Sequence, residues 1–140
     1  MSFAKRIVID TSTLIGAVLK PQSIPRQAFL RAIANATVCV STVTLDELEV
    51  VLMRDKFDRY LDLESRQRFF QHYRTATSLF AVSDDEEIAI TPTCRDPRDN
   101  KFLALAWHCS AHQLISSDED LLILNPWQNI PILTPVQFLQ

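Results

Sequence analysis

The stretch Arg6-Ile7-Val8-Ile9-Asp10-Thr11-Ser12-Thr13 constrains this chain more than any other. Three branched apolar residues follow one another without a polar break, the pattern of a strand buried on both faces. Such strands belong to parallel sheets covered by helices on either side. An aspartate stands where the strand ends, followed by three hydroxyl-bearing residues and the apolar run Leu14-Ile15-Gly16-Ala17-Val18. Open α/β sheets place their sites in the crevice beyond the carboxyl ends of the central strands. Asp10 is therefore the first candidate for chemistry.

Strand and helix patterns alternate along the rest of the chain. Ser12 is placed to cap a short helix through Val18, ended by Lys20-Pro21. Ile24 to Ala34 reads as a second helix, with Pro25 in its first turn and Ala28, Phe29, Ala32 and Ile33 as its apolar stripe. Thr37 to Ser41 is the next strand, so a right-handed crossover between parallel neighbours is expected. Thr42 to Phe57 and Leu63 to Leu79 give two more helices, the latter with Arg66 and Arg68 on one side. Phe80 to Val82 reads as a short edge strand, and Asp84 to Glu87 as a solvated acidic turn.

A fifth helix opens at Asp96-Pro97-Arg98-Asp99 and runs from Lys101 to Cys109. Gln113 to Ser117 is a strand that ends just before Asp118. Leu121 to Leu124 forms a turn or short helix, Ile130 to Leu133 an edge strand carrying Pro131, and Thr134-Pro135 starts a terminal helical turn. The expected fold is one α/β domain over residues 1–140. Its core is a doubly covered, mostly parallel sheet of four or five short strands.

Composition excludes several functions. Only Gly16 is a glycine, so no glycine-rich loop can cradle a phosphate in the Rossmann or P-loop manner. Cys39, Cys94 and Cys109 lack close spacing and read as buried apolar thiols, not as a disulfide framework or a zinc site. His108 and His112 stand four apart without the accompanying H-E-x-x-H signature. A net charge of -3 and a sequence pI near 5.5 disfavour charge-driven coating of nucleic acid. Acid is concentrated late: residues 1–70 carry ten Lys/Arg and eight Asp/Glu, residues 71–140 four and nine. No apolar run approaches the roughly 20 residues needed to span a bilayer, and the start of the chain does not resemble a secretion signal. A cytoplasmic protein without membrane association is expected.

Four carboxylates gather on one inferred rim of the sheet. Asp10 ends the first strand, Glu47 lies early in the third helix, Asp99 opens the fifth, and Asp118 follows the strand ending at Ser117. Each also has a plain structural reading: Thr44-x-x-Glu47 and Asp96-x-x-Asp99 fit capping boxes, Asp118 an Asx-turn and Asp10 a helix cap. The apolar settings of Asp10, Asp99 and Asp118 favour more than capping. Carboxylates that meet in such surroundings need protons or cations to offset repulsion and desolvation. An oxygen-only set without histidine or thiolate suits Mg²⁺ or Mn²⁺, and such a cation suits phosphodiester hydrolysis. The hydroxyls of Ser12 and Ser117 are placed to support ligands or waters.

The pattern resembles the PIN-domain nucleases, and most the toxin components of prokaryotic toxin–antitoxin systems (VapC-like). The resemblance rests on Val8-Ile-Asp10-Thr-Ser-Thr13, Leu45-Asp-Glu47-Leu48, Cys94-Arg-Asp-Pro-Arg-Asp99-Asn-Lys-Phe-Leu-Ala-Leu-Ala106, Leu114-Ile-Ser-Ser-Asp118-Glu-Asp-Leu-Leu122 and the tail Ile132 to Leu139. It implies a three-layer α/β/α fold and an endoribonuclease that hydrolyses RNA with Mg²⁺ or Mn²⁺. It implies that Asp10, Glu47, Asp99 and Asp118 hold the metal, with Asp96 contributing indirectly and Asp120 at a turn. A small antitoxin and a second copy of the chain are the implied partners. Ser12 stands where the family often has asparagine, and Ser117 replaces a glycine before Asp118. A PIN-fold module that binds RNA or protein with weak or no catalysis is the alternative. A haloacid-dehalogenase-like phosphatase would want a second acid at Ser12.

Overall fold

A computed structural model describes residues 4–140; residues 1–3, part of the start compared above with a secretion signal, lie outside them. The fold is a three-layer α/β/α sandwich around five parallel strands. In chain order, β1 (Arg6–Ile9) leads through α1 (Thr11–Leu19) and α2 (Ile24–Asn35) to β2 (Thr37–Val40). After β2 come α3 (Thr42–Leu52), α4 (Leu63–Ala76), β3 (Ser78–Leu79), α5 (Asp84–Ala89) and α6 (Asn100–His108). The chain closes with β4 (Gln113–Ile115), α7 (Glu119–Leu122), β5 (Ile132–Leu133) and α8 (Pro135–Leu139).

The strand order is β3-β2-β1-β4-β5. Ile7 pairs with both Val38 and Gln113, so β1 is central. Side chains alternate along the strands, and both faces are covered. Ile7, Ile9, Val38, Val40 and Ile115 enter a core with Leu14, Leu48, Leu52, Phe70 and Tyr73, while Val8, Cys39 and Leu114 enter another with Phe102, Leu103, Ala106 and Trp127. The winding of the sheet reverses between β1 and β4: β2 and β3 are laid down on one side of β1, β4 and β5 on the other, while all five strands stay parallel. A crevice must open at that switch point, beyond the strands' carboxyl ends.

Several boundaries differ from the sequence reading, each for a local reason. Asp10, not Ser12, caps α1, accepting a bond from the Thr13 N–H. The box at the start of α3 is Ser41 with Thr44, which leaves Glu47 free of capping. α3 stops at Leu52, and Asp55–Phe57 forms a separate 3₁₀ turn. The edge strand is Ser78–Leu79, two residues before the expected one, with the Phe80 N–H closing the ladder on the Val40 carbonyl. The acidic run is helical, since Ser83 caps α5 and acid suits a helix N-terminus.

The two arginines of α4 part company. Arg68 is exposed and pairs with Glu64, whereas the side chain of Arg66 is wholly buried. Arg66 pairs with Asp58 and donates to the carbonyls of Leu52, Arg54 and Leu61. It ties the end of α3 to the loop that returns to α4. The three cysteines are free and buried. Among the described residues no helix is long and apolar enough to cross a membrane.

Candidate active site

Parallel topology brings Asp10, Glu47, Asp99 and Asp118 to one cleft of about 510 Å³, with Ser12, Asp96, Arg54, Arg98 and Phe102 also on its wall. Asp10 lies at its floor, 2% exposed. Its Oδ1 accepts from the Thr13 N–H at 3.0 Å, and its Oδ2 from the hydroxyls of Ser116 at 2.5 Å and Ser12 at 3.3 Å. Burial raises its pKa above the ordinary carboxylate value, and these donors pull the other way.

Asp99 ends the 3₁₀ turn Pro97–Asp99 and makes no capping bond of its own. Its Oδ2 is buried without a hydrogen-bond partner. Its pKa is pushed up to about 7, by burial first and then by the adjoining Asp118 carboxyl, with smaller repulsion from Asp96 and Asp10. An unpaired buried oxygen facing another carboxylate is costly unless a proton or a cation comes between them. Asp118 is held at the mouth of the crevice by an Asx-type bond: its Oδ1 accepts from the Asp120 N–H at 2.9 Å, and its own N–H donates to Ser116 Oγ at 2.9 Å.

Glu47 differs from the other three. Its Oε1 accepts from Thr11 Oγ1 at 2.5 Å and its Oε2 from Lys101 Nζ at 2.5 Å. Asp96 is likewise engaged, accepting from Arg98 Nε at 3.1 Å and Nη2 at 2.9 Å; those bonds lower its pKa. Asp120 lies outside the cleft wall, 4.0 Å from Arg95. Ser117 bonds to Thr13 Oγ1 at 3.0 Å and not to a carboxylate.

The fully buried Ser116 thus does for Asp10 what Ser117 was expected to do. Alternation along a strand buried on both faces was the available signal, since Ser116 follows Ile115 and must also point inward. Lys101 was the other residue missed. A cation in the first turn of a helix is disfavoured by the macrodipole, so a lysine at the second position of α6 implies a local anionic partner.

Among the described residues, no group of three or more Asp, Glu, His or Cys side chains stands ready to hold a metal ion. The donors nonetheless fit a hard divalent cation. All are oxygens, Asp99 Oδ2 has no other partner, and Mg²⁺ usually binds through one or two carboxylates together with waters and substrate phosphate. A second cavity of about 460 Å³, lined by Trp107, Trp127, His108 and Glu86, offers one carboxylate, and His108 Nδ1 already lies 2.5 Å from it.

Comparison with known proteins agrees with this placement of elements. The chain is similar to the uncharacterized protein MJ1680 of Methanocaldococcus jannaschii, 31% identical over 128 residues that cover 85% of this chain and 74% of that protein. Its fold is similar to that of VapC20 from Mycobacterium tuberculosis, a sarcin–ricin loop cleaving toxin, with TM-score 0.59, 16% identity and 89% and 98% of the two chains covered. It is also similar to DNA-bound VapBC from Salmonella typhimurium, with TM-score 0.61, 17% identity and 94% and 98% covered. The family model for the PIN domain matches residues 6–120, most of the chain and all four rim carboxylates, and the chain belongs to the PIN-domain family.

Proposed function

We propose that this chain is a metal-dependent endoribonuclease, the toxin of a toxin–antitoxin pair, acting in the cytoplasm. The observation that carries the reading is the buried, unpartnered Asp99 oxygen beside Asp118 and Asp10 at the switch point of the sheet. Asp10, Asp99 and Asp118 would hold Mg²⁺ or Mn²⁺; when bound, the cation supplies acidification of water and neutralisation of charge on the phosphoryl group.

The chain's own residues do the positioning. Thr13 and Ser116 aim the Asp10 carboxylate, and Ser116 also fixes the Asp118 backbone. Arg54 and Arg98 on the cleft wall can receive backbone phosphates. The likeness of the fold to VapC20, a sarcin–ricin loop cleaving toxin, and to DNA-bound VapBC supports an RNA substrate and an antitoxin partner. Ile24, Leu30 and Leu63 are exposed apolar residues on or beside α2 and α4, an apolar surface for the antitoxin or a second copy.

The test is cleavage of a mixed single-stranded and hairpin RNA panel by wild type and Asp99→Asn, with Mn²⁺, Mg²⁺ or EDTA, after equal folding is verified. Cleavage abolished by EDTA and reduced at least a hundredfold by the substitution is expected. Folded wild type that binds RNA in this panel without cutting it would replace the enzyme reading with a binding module.

A further inference from the structure

We propose that the Lys101 ammonium occupies the place of a second cation in the cleft, so that the site takes one divalent ion per chain and Glu47 partners lysine instead of metal. This rests on the metal-dependent reading above and narrows it. Lys101 is a positioning residue here: it acts by holding Glu47 and by excluding a second ion.

Both oxygens of Glu47 are already engaged, one by the Thr11 hydroxyl and the other by Lys101, each at 2.5 Å. The pair is mostly shielded from water, with side-chain exposures of 15% for Lys101 and 24% for Glu47. Lys101 is anchored a second time by the Arg98 carbonyl at 2.5 Å, and its ammonium lies 5.8 Å from the centre of the Phe102 ring. It is therefore fixed in place and not a mobile surface cation. Bringing a metal to Glu47 would require breaking a shielded ion pair, and a dication there would stand beside a fixed positive charge in a poorly solvated setting.

The contrast with Asp99 decides between the two carboxylates. Asp99 has a buried oxygen with no partner and Asp10 accepts only from neutral donors, whereas one Glu47 oxygen is already held by a cation. Lys101 also explains how a lysine is tolerated in the first turn of α6: it satisfies a carboxylate contributed by α3 across the cleft.

The test is Mn²⁺ binding to the full chain without RNA, followed by equilibrium dialysis and electron paramagnetic resonance. Wild type is expected to bind one Mn²⁺, and Lys101→Arg, which keeps the charge, also one. Lys101→Met should admit a second, weaker Mn²⁺. Glu47→Gln should bind one Mn²⁺ with affinity within about threefold of wild type, whereas Asp99→Asn should lose at least tenfold. Two ions on wild type, one ion on folded Lys101→Met, or a tenfold loss in Glu47→Gln would each overturn the assignment. If Lys101→Met fails to fold by circular dichroism, the Glu47→Gln affinity and wild-type stoichiometry decide. Absence of any Mn²⁺ binding to wild type would instead bring down the metal-dependent reading itself, and this assignment with it.

Discussion

At Asp99 the protein is built against its own stability. In the unfolded chain its carboxyl ionises near 3.8, and in the fold its pKa is pushed up to about 7 by burial and by Asp118. The fold therefore favours the protonated form. The stability this group contributes is fully present below about pH 4 and is lost as pH rises through about 7. Because the side chain is only partly buried, the full conversion of the shift is discounted for solvent screening, leaving about 1–2 kcal/mol. Asp99→Asn, which keeps the shape and removes the charge, should be about 1–2 kcal/mol more stable than wild type in EDTA at pH 7.5 and equal to it near pH 4. Urea unfolding of both proteins across that range is the check; parallel pH profiles would show that Asp99 is not the strained group. Carboxylates that bind cations commonly carry such a cost, since the geometry that suits the ion is one they would avoid without it.

Among the elements, the join between α3 and α4 is where sequence reading went furthest astray. The strands were legible because continuous branched apolar runs have few alternatives, and Asp10 and Asp118 were legible because each closes such a run. Arg66 and Arg68, by contrast, stand two apart on one helix and differ in nothing that a pattern can register. Only the convergence of Leu52, at the end of α3, with Arg54, Asp58 and Leu61 of the segment that follows makes one of them central and leaves the other in water. The same blindness hid the Lys101–Glu47 pair, whose members are 54 positions apart. Arg66→Met should cost about 3 kcal/mol, because three carbonyls lose a charged donor and the loop loses its tie, while Arg68→Met should stay within about 0.5 kcal/mol. Denaturant midpoints measure both, and similar losses for the two would remove the clamp assigned to Arg66. Arg54, on the cleft wall, lies in the clamped segment, so loosening the loop should also weaken RNA binding.

On the scale of the molecule, folding and metal binding are expected to be one linked equilibrium. The sheet can bring acids from four separate segments to one rim only when folded, so a cation that prefers this rim binds the native state and not the open chain. An ion at a hundred times its dissociation constant then adds about 2.7 kcal/mol to the unfolding free energy. For a chain of 140 residues that corresponds to a rise in Tm of roughly 9 °C. The gain should disappear in Asp99→Asn, which lacks the acceptor. It should survive in Asp96→Asn, because Asp96 already spends its oxygens on Arg98 and the Arg98 N–H. Thermal melts of the three proteins, with Mn²⁺ and with EDTA, separate a specific site from general screening of a net charge of -3. Screening would lift all three alike, and would do so with monovalent salt as well. A site specific to the rim lifts two of them, only with the divalent ion, and leaves the third where it was.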